Sequence, residues 1–134
     1  MEPAKERAQA LGIAEKVCFA GARSDIPDLM QAMDVFVLPS IYEGLPVTMV
    51  EAQAAGLPCV ISSGISAECK LTDAVEQIAL SEGAPVWADR ILTYKTFSRQ
   101  DTYDRIVASG FDIQANARWL KDFYLGELDL QEDV

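Results

Sequence analysis

Two glutamates, Glu43 and Glu51, stand with seven residues between them, among which are Gly44, Leu45 and Pro46. Carboxylates accept hydrogen bonds and therefore suit hydroxyl groups, which donate them. Gly44 lets the backbone approach a ligand or adopt positive φ. Pro46 presets a helical φ for the segment that follows. The N–H groups of a first helical turn attract anions, each contact contributing about 0.3–1 kcal/mol when exposed. A diphosphate is a natural guest of such a start. Glu51 would then lie roughly 7–8 Å along the helix axis from Pro46, so the two carboxylates need not touch. They could grip an extended ligand at two places, a ribose at one end and a hexose at the other. The spacing also permits a plainer reading, with Glu43 an ordinary loop acid and Glu51 an ordinary exposed helix residue. Against it stands the company of Glu51: Met49, Val50, Ala52, Ala54 and Ala55, among which an unpartnered carboxylate is costly.

The remaining composition narrows the chemistry. The chain of 134 residues contains no histidine, which removes Ser–His and Cys–His catalysis, histidine bases and histidine-containing metal sites. Its three cysteines form no C-x-x-C pair, so neither a disulfide framework nor a zinc site is expected. Cys18 and Cys59 fall in apolar runs and read as small core residues. Cys69 has no base nearby and is not expected to act as a nucleophile. The formal net charge of −10 argues against nucleic-acid binding. Part of it sits in Glu127–Asp133, read as a solvated, frayed terminus. No apolar run approaches the roughly 18 residues of a membrane span, and Met1–Gln9 has no signal-peptide character. A cytoplasmic protein is expected.

The elements that must position the two glutamates can be read from local pattern. Residues 3–11 predict a short helix, with Pro3 in its first turn and Gly12 as a stop. Lys16–Ala20 is a short β-rich run. Asp25–Met33 predicts a helix whose Ile26, Leu29, Met30 and Met33 form an apolar stripe. Asp34–Leu38 is nearly all apolar, which fits a strand buried on both faces. Pro46–Ala55 predicts a helix closed by Gly56, and Cys59–Ile61 another buried strand. The order α, β, α, β, α, β with short links is the rhythm of a parallel sheet covered by helices. Ligands of such sheets bind outside the carboxyl ends of the strands, where the 39–45 loop lies. Farther on, Val75–Leu80 fits a strand or a turn of helix, and 85–97, 99–109 and 113–124 each predict helix. Trp87, Trp119, Tyr94, Phe123 and Tyr124 read as packing residues.

The segments V-C-F-A-G (17–21), D-V-F-V-L-P-S (34–40), E-G-L-P (43–46) and E-A-Q-A-A-G-L-P-C-V-I-S-S (51–63) together resemble the C-terminal domain of retaining GT-B glycosyltransferases of the group 1, or GT4, class. The later P-V-W-A (85–88) and A-S-G-F-D-I (108–113) look like the subgroup that builds capsular and exopolysaccharides. The resemblance implies a partial Rossmann-like parallel sheet with a helical C-terminal region, and residues 1–134 as one donor-binding domain. It implies that Glu51 hydrogen-bonds the nucleotide ribose and that Glu43, the catalytic candidate, faces the donor sugar and stabilises its developing positive charge. Gly44 and Leu45 would offer N–H groups to the sugar and diphosphate. Val47 and Thr48 would line the phosphate, and Gly21 to Arg23 would lie near the base. The implied substrate is a nucleotide-diphosphate sugar. No metal or other cofactor is implied.

The resemblance also implies parts that this sequence does not show. Family members carry an N-terminal acceptor domain, and their C-terminal domain opens with two strands bearing an Arg and a Lys for the diphosphate. Those strands lie between the counterparts of 17–20 and 34–38. No Arg or Lys occupies 39–56. The expectation is therefore a truncated donor-binding domain that turns over poorly alone and whose sheet must repack, pair with a second copy as a homodimer, or join a partner chain. The intact enzyme could work at the inner face of the membrane. A non-catalytic assembly module is the alternative. A sugar-nucleotide epimerase of the same fold fits less well, given the lack of histidine and the glutamate spacing.

Overall fold

The uncharged run at Leu57–Ser62 supplies the centre of the fold. In the computed structural model, which describes residues 2–127, Cys59–Ser62 is strand β2 and is buried along its whole length. It pairs in parallel with β1 (Phe36–Leu38) on one side and β3 (Val75–Ile78) on the other. The register sets Val60 opposite both Val37 and Glu76. Six α-helices accompany the sheet among the described residues: α1 (Glu2–Ala10), α2 (Ile26–Ala32), α3 (Val47–Ala54), α4 (Gly83–Thr93), α5 (Tyr103–Ala108) and α6 (Ile113–Leu125).

Successive side chains of β2 point to opposite faces, and each face meets helices. Cys59 and Ile61 join Met30 of α2 and Met49 and Ala52 of α3 in the larger core cluster. Val60 joins Ile78 and Trp87 of α4 in the smaller one. The result is a partial Rossmann-like α/β fold, helices on both faces of a parallel sheet.

Two features hold the helix ends. Arg99 donates to the carbonyls of Met30 (2.9 Å), Met33 and Ala55 (3.2 Å), so one guanidinium closes the C-terminal ends of α2 and α3. Thr102 Oγ1 donates to the Gln53 carbonyl at 2.7 Å. These side-chain contacts keep 99–102 out of regular helix, and only Tyr103–Ala108 of the expected 99–109 helix forms.

The structure corrects several expectations. Lys16–Ala20 forms no strand, and Cys18 is exposed rather than part of a core. A β-rich run without a neighbouring strand gains no ladder, and pairing decides strand formation more than propensity does. Asp34–Leu38 was expected to be buried on both faces. Only Phe36–Leu38 is strand, Val37 remains 37% exposed, and the outer edge of β1 meets no strand among the described residues. Val75–Ile78 settles as strand. The 85–97 segment is α4 followed by a single 3₁₀ turn at Tyr94–Thr96. Trp87 and Tyr94 pack on the sheet. Trp119 and Phe123 instead stack on each other, centroids 5.5 Å apart, on a helix that buries none of its residues. Apart from Glu127, the acidic tail lies outside the described residues.

Candidate functional site

A cavity of about 1040 Å³ opens at the carboxyl ends of the strands, at the upper end of the ~300–1,000 Å³ usual for small-molecule clefts. Two loops build it. One follows β1 and brings Tyr42, Glu43, Gly44 and Leu45; the other follows β2 and brings residues 63–71. Gln77 at the end of β3, with Ser109 and Phe111, completes the lining.

The two loops are tied to each other. Ser62 Oγ donates to the Ser40 carbonyl, and residues 43 and 65 form an isolated parallel bridge. Gln77 Nε2 donates to the Ile65 carbonyl at 2.8 Å. A Cβ at Gly64 would collide with the Ile41 carbonyl oxygen, so only glycine permits the loops to close this far. Beneath them lies Gln53, fully buried on α3. Its Nε2 donates to the Cys69 carbonyl at 2.8 Å, and its Oε1 accepts from the Leu71 and Thr72 amides at 2.8 and 3.0 Å. Every polar atom of this buried amide is engaged, as a buried polar group requires.

Glu43 is half-buried, and its Oε1 accepts from Ser40 Oγ at 2.8 Å. That bond orients the carboxylate at the cavity wall. Gly44 keeps φ out of the left-handed region, and a Cβ there would meet nothing within 4 Å. Neither backbone conformation nor packing requires glycine at 44; its bare backbone faces open space. Leu45, 53% exposed, also lines the cavity. Burial raises the Cys69 thiol above its ordinary pKa, and Glu68 raises it further. Cys69 Sγ reaches the Gly44 carbonyl at 3.6 Å, a structural contact rather than an activated thiolate.

Glu51 lies elsewhere. It sits about one turn into α3, roughly 6 Å along the axis from Val47, and lines a separate cavity of about 280 Å³ with Pro27, Met30, Gln31, Ala54 and Ala55. It is exposed, so the argument that its apolar company makes an unpartnered charge costly does not hold. Met49, Val50 and Ala52 point inward, while Glu51 shares the outer side with the exposed Ala54. Val47 and Thr48 are exposed on the first turn of α3, which no side chain caps. Gly21 and Arg23 do not line the large cavity, and Arg23 pairs with Asp25, lowering the Asp25 pKa and raising its own.

The pattern reading missed three residues. Gln53 and Gln77 hold the loops, and Lys70 is a cation on the cavity wall. The signal available for Lys70 was its place in the loop after a parallel strand, the side of the sheet where ligands gather. Among the described residues, no group of His, Cys, Asp and Glu is arranged to hold a metal. No helix among them is long and apolar enough to cross a membrane.

A parallel sheet with a loop-built cleft at its carboxyl ends, a carboxylate on its wall and an uncapped helix beside it defines an α/β domain whose cleft lies where ligands of such sheets bind. Comparison with known proteins is more specific. Residues 2–86 match the family described as glycosyl transferases group 1, and the chain belongs to that family. It is 38% identical over 124 residues to the putative glycosyltransferase EpsF of Bacillus subtilis, covering 90% of this chain and 32% of that protein. It is 29% identical over 124 residues to the UDP-Gal:alpha-D-GlcNAc-diphosphoundecaprenol alpha-1,3-galactosyltransferase of Escherichia coli, covering 86% of this chain and 31% of the relative. The Vi polysaccharide biosynthesis protein VipC/TviE of Salmonella typhi is 40% identical over 92 residues, 68% of this chain and 16% of its own length. The chain thus spans a third or less of these relatives. No solved structure matches it significantly.

Proposed function

We propose that residues 1–134 form the donor-binding portion of a retaining glycosyltransferase of polysaccharide biosynthesis. The observation that carries the reading is the cleft wall at 43–45: an oriented carboxylate beside a glycine that the fold itself does not need. A ligand passing close to the backbone at Gly44 accounts for both. In this reading Glu43 faces the donor sugar, where a carboxylate stabilises developing positive charge. Gly44 and Leu45 offer N–H groups to the sugar and diphosphate, with Val47 and Thr48 at the helix start beyond them. Glu51 would take the ribose from beside its own small cavity, outside the main one. Gly21 and Arg23 would serve the base only if the 21–25 segment moved toward the cleft. The substrate would be a nucleotide-diphosphate sugar, with no metal assigned.

The E. coli relative is named for a UDP-sugar donor and a diphosphoundecaprenol-linked acceptor. On that likeness we take UDP as the first ligand to test and a lipid-linked glycan as the acceptor class, handled at the cytoplasmic face of a membrane. An acceptor domain or partner chain would supply the other wall. Calorimetric titration with UDP and GDP checks the reading: millimolar or tighter binding of one nucleotide, weakened by Glu51→Ala, is expected. No heat with either nucleotide, and no difference between wild type and variant, would contradict it for this chain.

The edge of β1, which meets no strand among the described residues, supports a second reading, a module that pairs with another chain through that edge. It predicts a stable homodimer or hetero-complex by light scattering, with nucleotide causing no change.

A further inference from the structure

The cavity carries acid on two loops, Glu43 on one and Glu68 on the other, in a chain of formal net charge −10. An acidic wall alone would repel a phosphate. Lys70 is the one Lys or Arg among the residues lining it. Its side chain takes part in no salt bridge among the described residues.

The backbone around Lys70 is fixed on both sides. The Cys69 carbonyl before it accepts from Gln53 Nε2 at 2.8 Å, and the Leu71 amide after it donates to Gln53 Oε1 at 2.8 Å. The Cys69 thiol ties the same peptide to Gly44, in the loop of Glu43. A buried side-chain amide therefore clamps both flanks of an exposed lysine. The ammonium rides on a flexible stem from a fixed point, able to follow a charged group within the cleft.

We propose that Lys70 is the cavity's diphosphate-contacting residue. The inference rests on the donor-site reading above and supplies the cation that residues 39–56 lack. The donor's nucleoside diphosphate and an acceptor's lipid-linked diphosphate share the group it would meet.

The test titrates the whole chain with UDP, inorganic pyrophosphate, farnesyl diphosphate and uridine, followed by calorimetry. Wild type is compared with Lys70→Gln and Lys70→Arg, two surface changes whose folding circular dichroism verifies. Lys70→Gln is expected to weaken diphosphate binding about tenfold and to leave uridine unchanged, while Lys70→Arg retains most of the affinity. A loss confined to UDP assigns the contact to the nucleotide, and one confined to farnesyl diphosphate assigns it to the lipid side. Equal diphosphate affinities in wild type and Lys70→Gln overturn the inference, as does no diphosphate binding at millimolar concentration. UDP binding that depends on Glu51 and not on Lys70 sinks this inference alone. Pyrophosphate binding that depends on Lys70, with no gain from a nucleoside, upholds it and sinks the nucleotide reading.

Discussion

Cys18 and Cys59 sit in apolar runs of similar character, V-C-F-A and C-V-I-S, yet Cys59 is fully buried while Cys18 is exposed. The difference lies in their neighbours. Around Cys59 the chain supplies a strand on each side and a helix layer on each face. Around Cys18 it supplies none of these among the described residues. An apolar run is therefore only a capacity for burial, and what packs on it decides the outcome. The contrast extends to function. The loops after β1 and β2 are cross-tied into a cleft, whereas the segment before β1 leaves Val17 and Phe19 each more than a third exposed, as is Val37 within β1 itself.

The largest expected effects attack the well-packed side. Ile61→Ala should lower stability by about 3 kcal/mol, through lost burial and the cavity left behind. Gln53→Ala should cost about as much, because it strands a buried carbonyl and two amides. Val17→Ala should stay within about 0.5 kcal/mol. Urea denaturation measures all three, and a Val17 effect equal to that of Ile61 would break the comparison.

Arg99→Ala comes next. It removes the carbonyl partner of two helix ends and should cost about 1–2 kcal/mol, read as a lower urea midpoint with an unchanged slope.

Thiol chemistry sharpens the contrast with the least perturbation. Cys18 should react with a disulfide reagent at the rate of a free thiol in the native chain, while Cys59 and Cys69 wait for unfolding. Burial pushes the Cys59 pKa up to about 12, against 9.0 for an ordinary thiol. Because the folded value is raised, the unfolded chain loses the proton first. The stability present below about pH 9 should therefore fall as pH rises toward 12. Cys59→Ala should flatten that decline.

Much of this was legible beforehand. The helix–strand rhythm, the Pro46 start of α3 and the uncharged run of β2 follow from local pattern, because each reports burial or backbone geometry within a few residues. The fate of 17–20 and the exposed face of β1 were not legible, since edge or centre depends on strands contributed from elsewhere. The spacing of Glu43 and Glu51 suggested one grip on one ligand. The structure puts Glu43 on the cleft wall and Glu51 beside a separate small cavity between α2 and α3. Gln53 and Lys70 escaped notice because their meaning depends on hydrogen bonds that reach 16 and 18 residues along the chain. No periodicity encodes such a contact.

The central claim is that the cleft between the 42–45 and 63–71 loops takes a nucleotide diphosphate. Amide chemical shifts of the isotopically labelled chain during UDP titration test it most directly. Saturable shifts concentrated at Glu43, Gly44, Leu45 and residues 63–71, and reduced by Glu43→Gln, are expected. An unchanged spectrum at millimolar UDP, or shifts confined to α6 and the segment before β1, would contradict it.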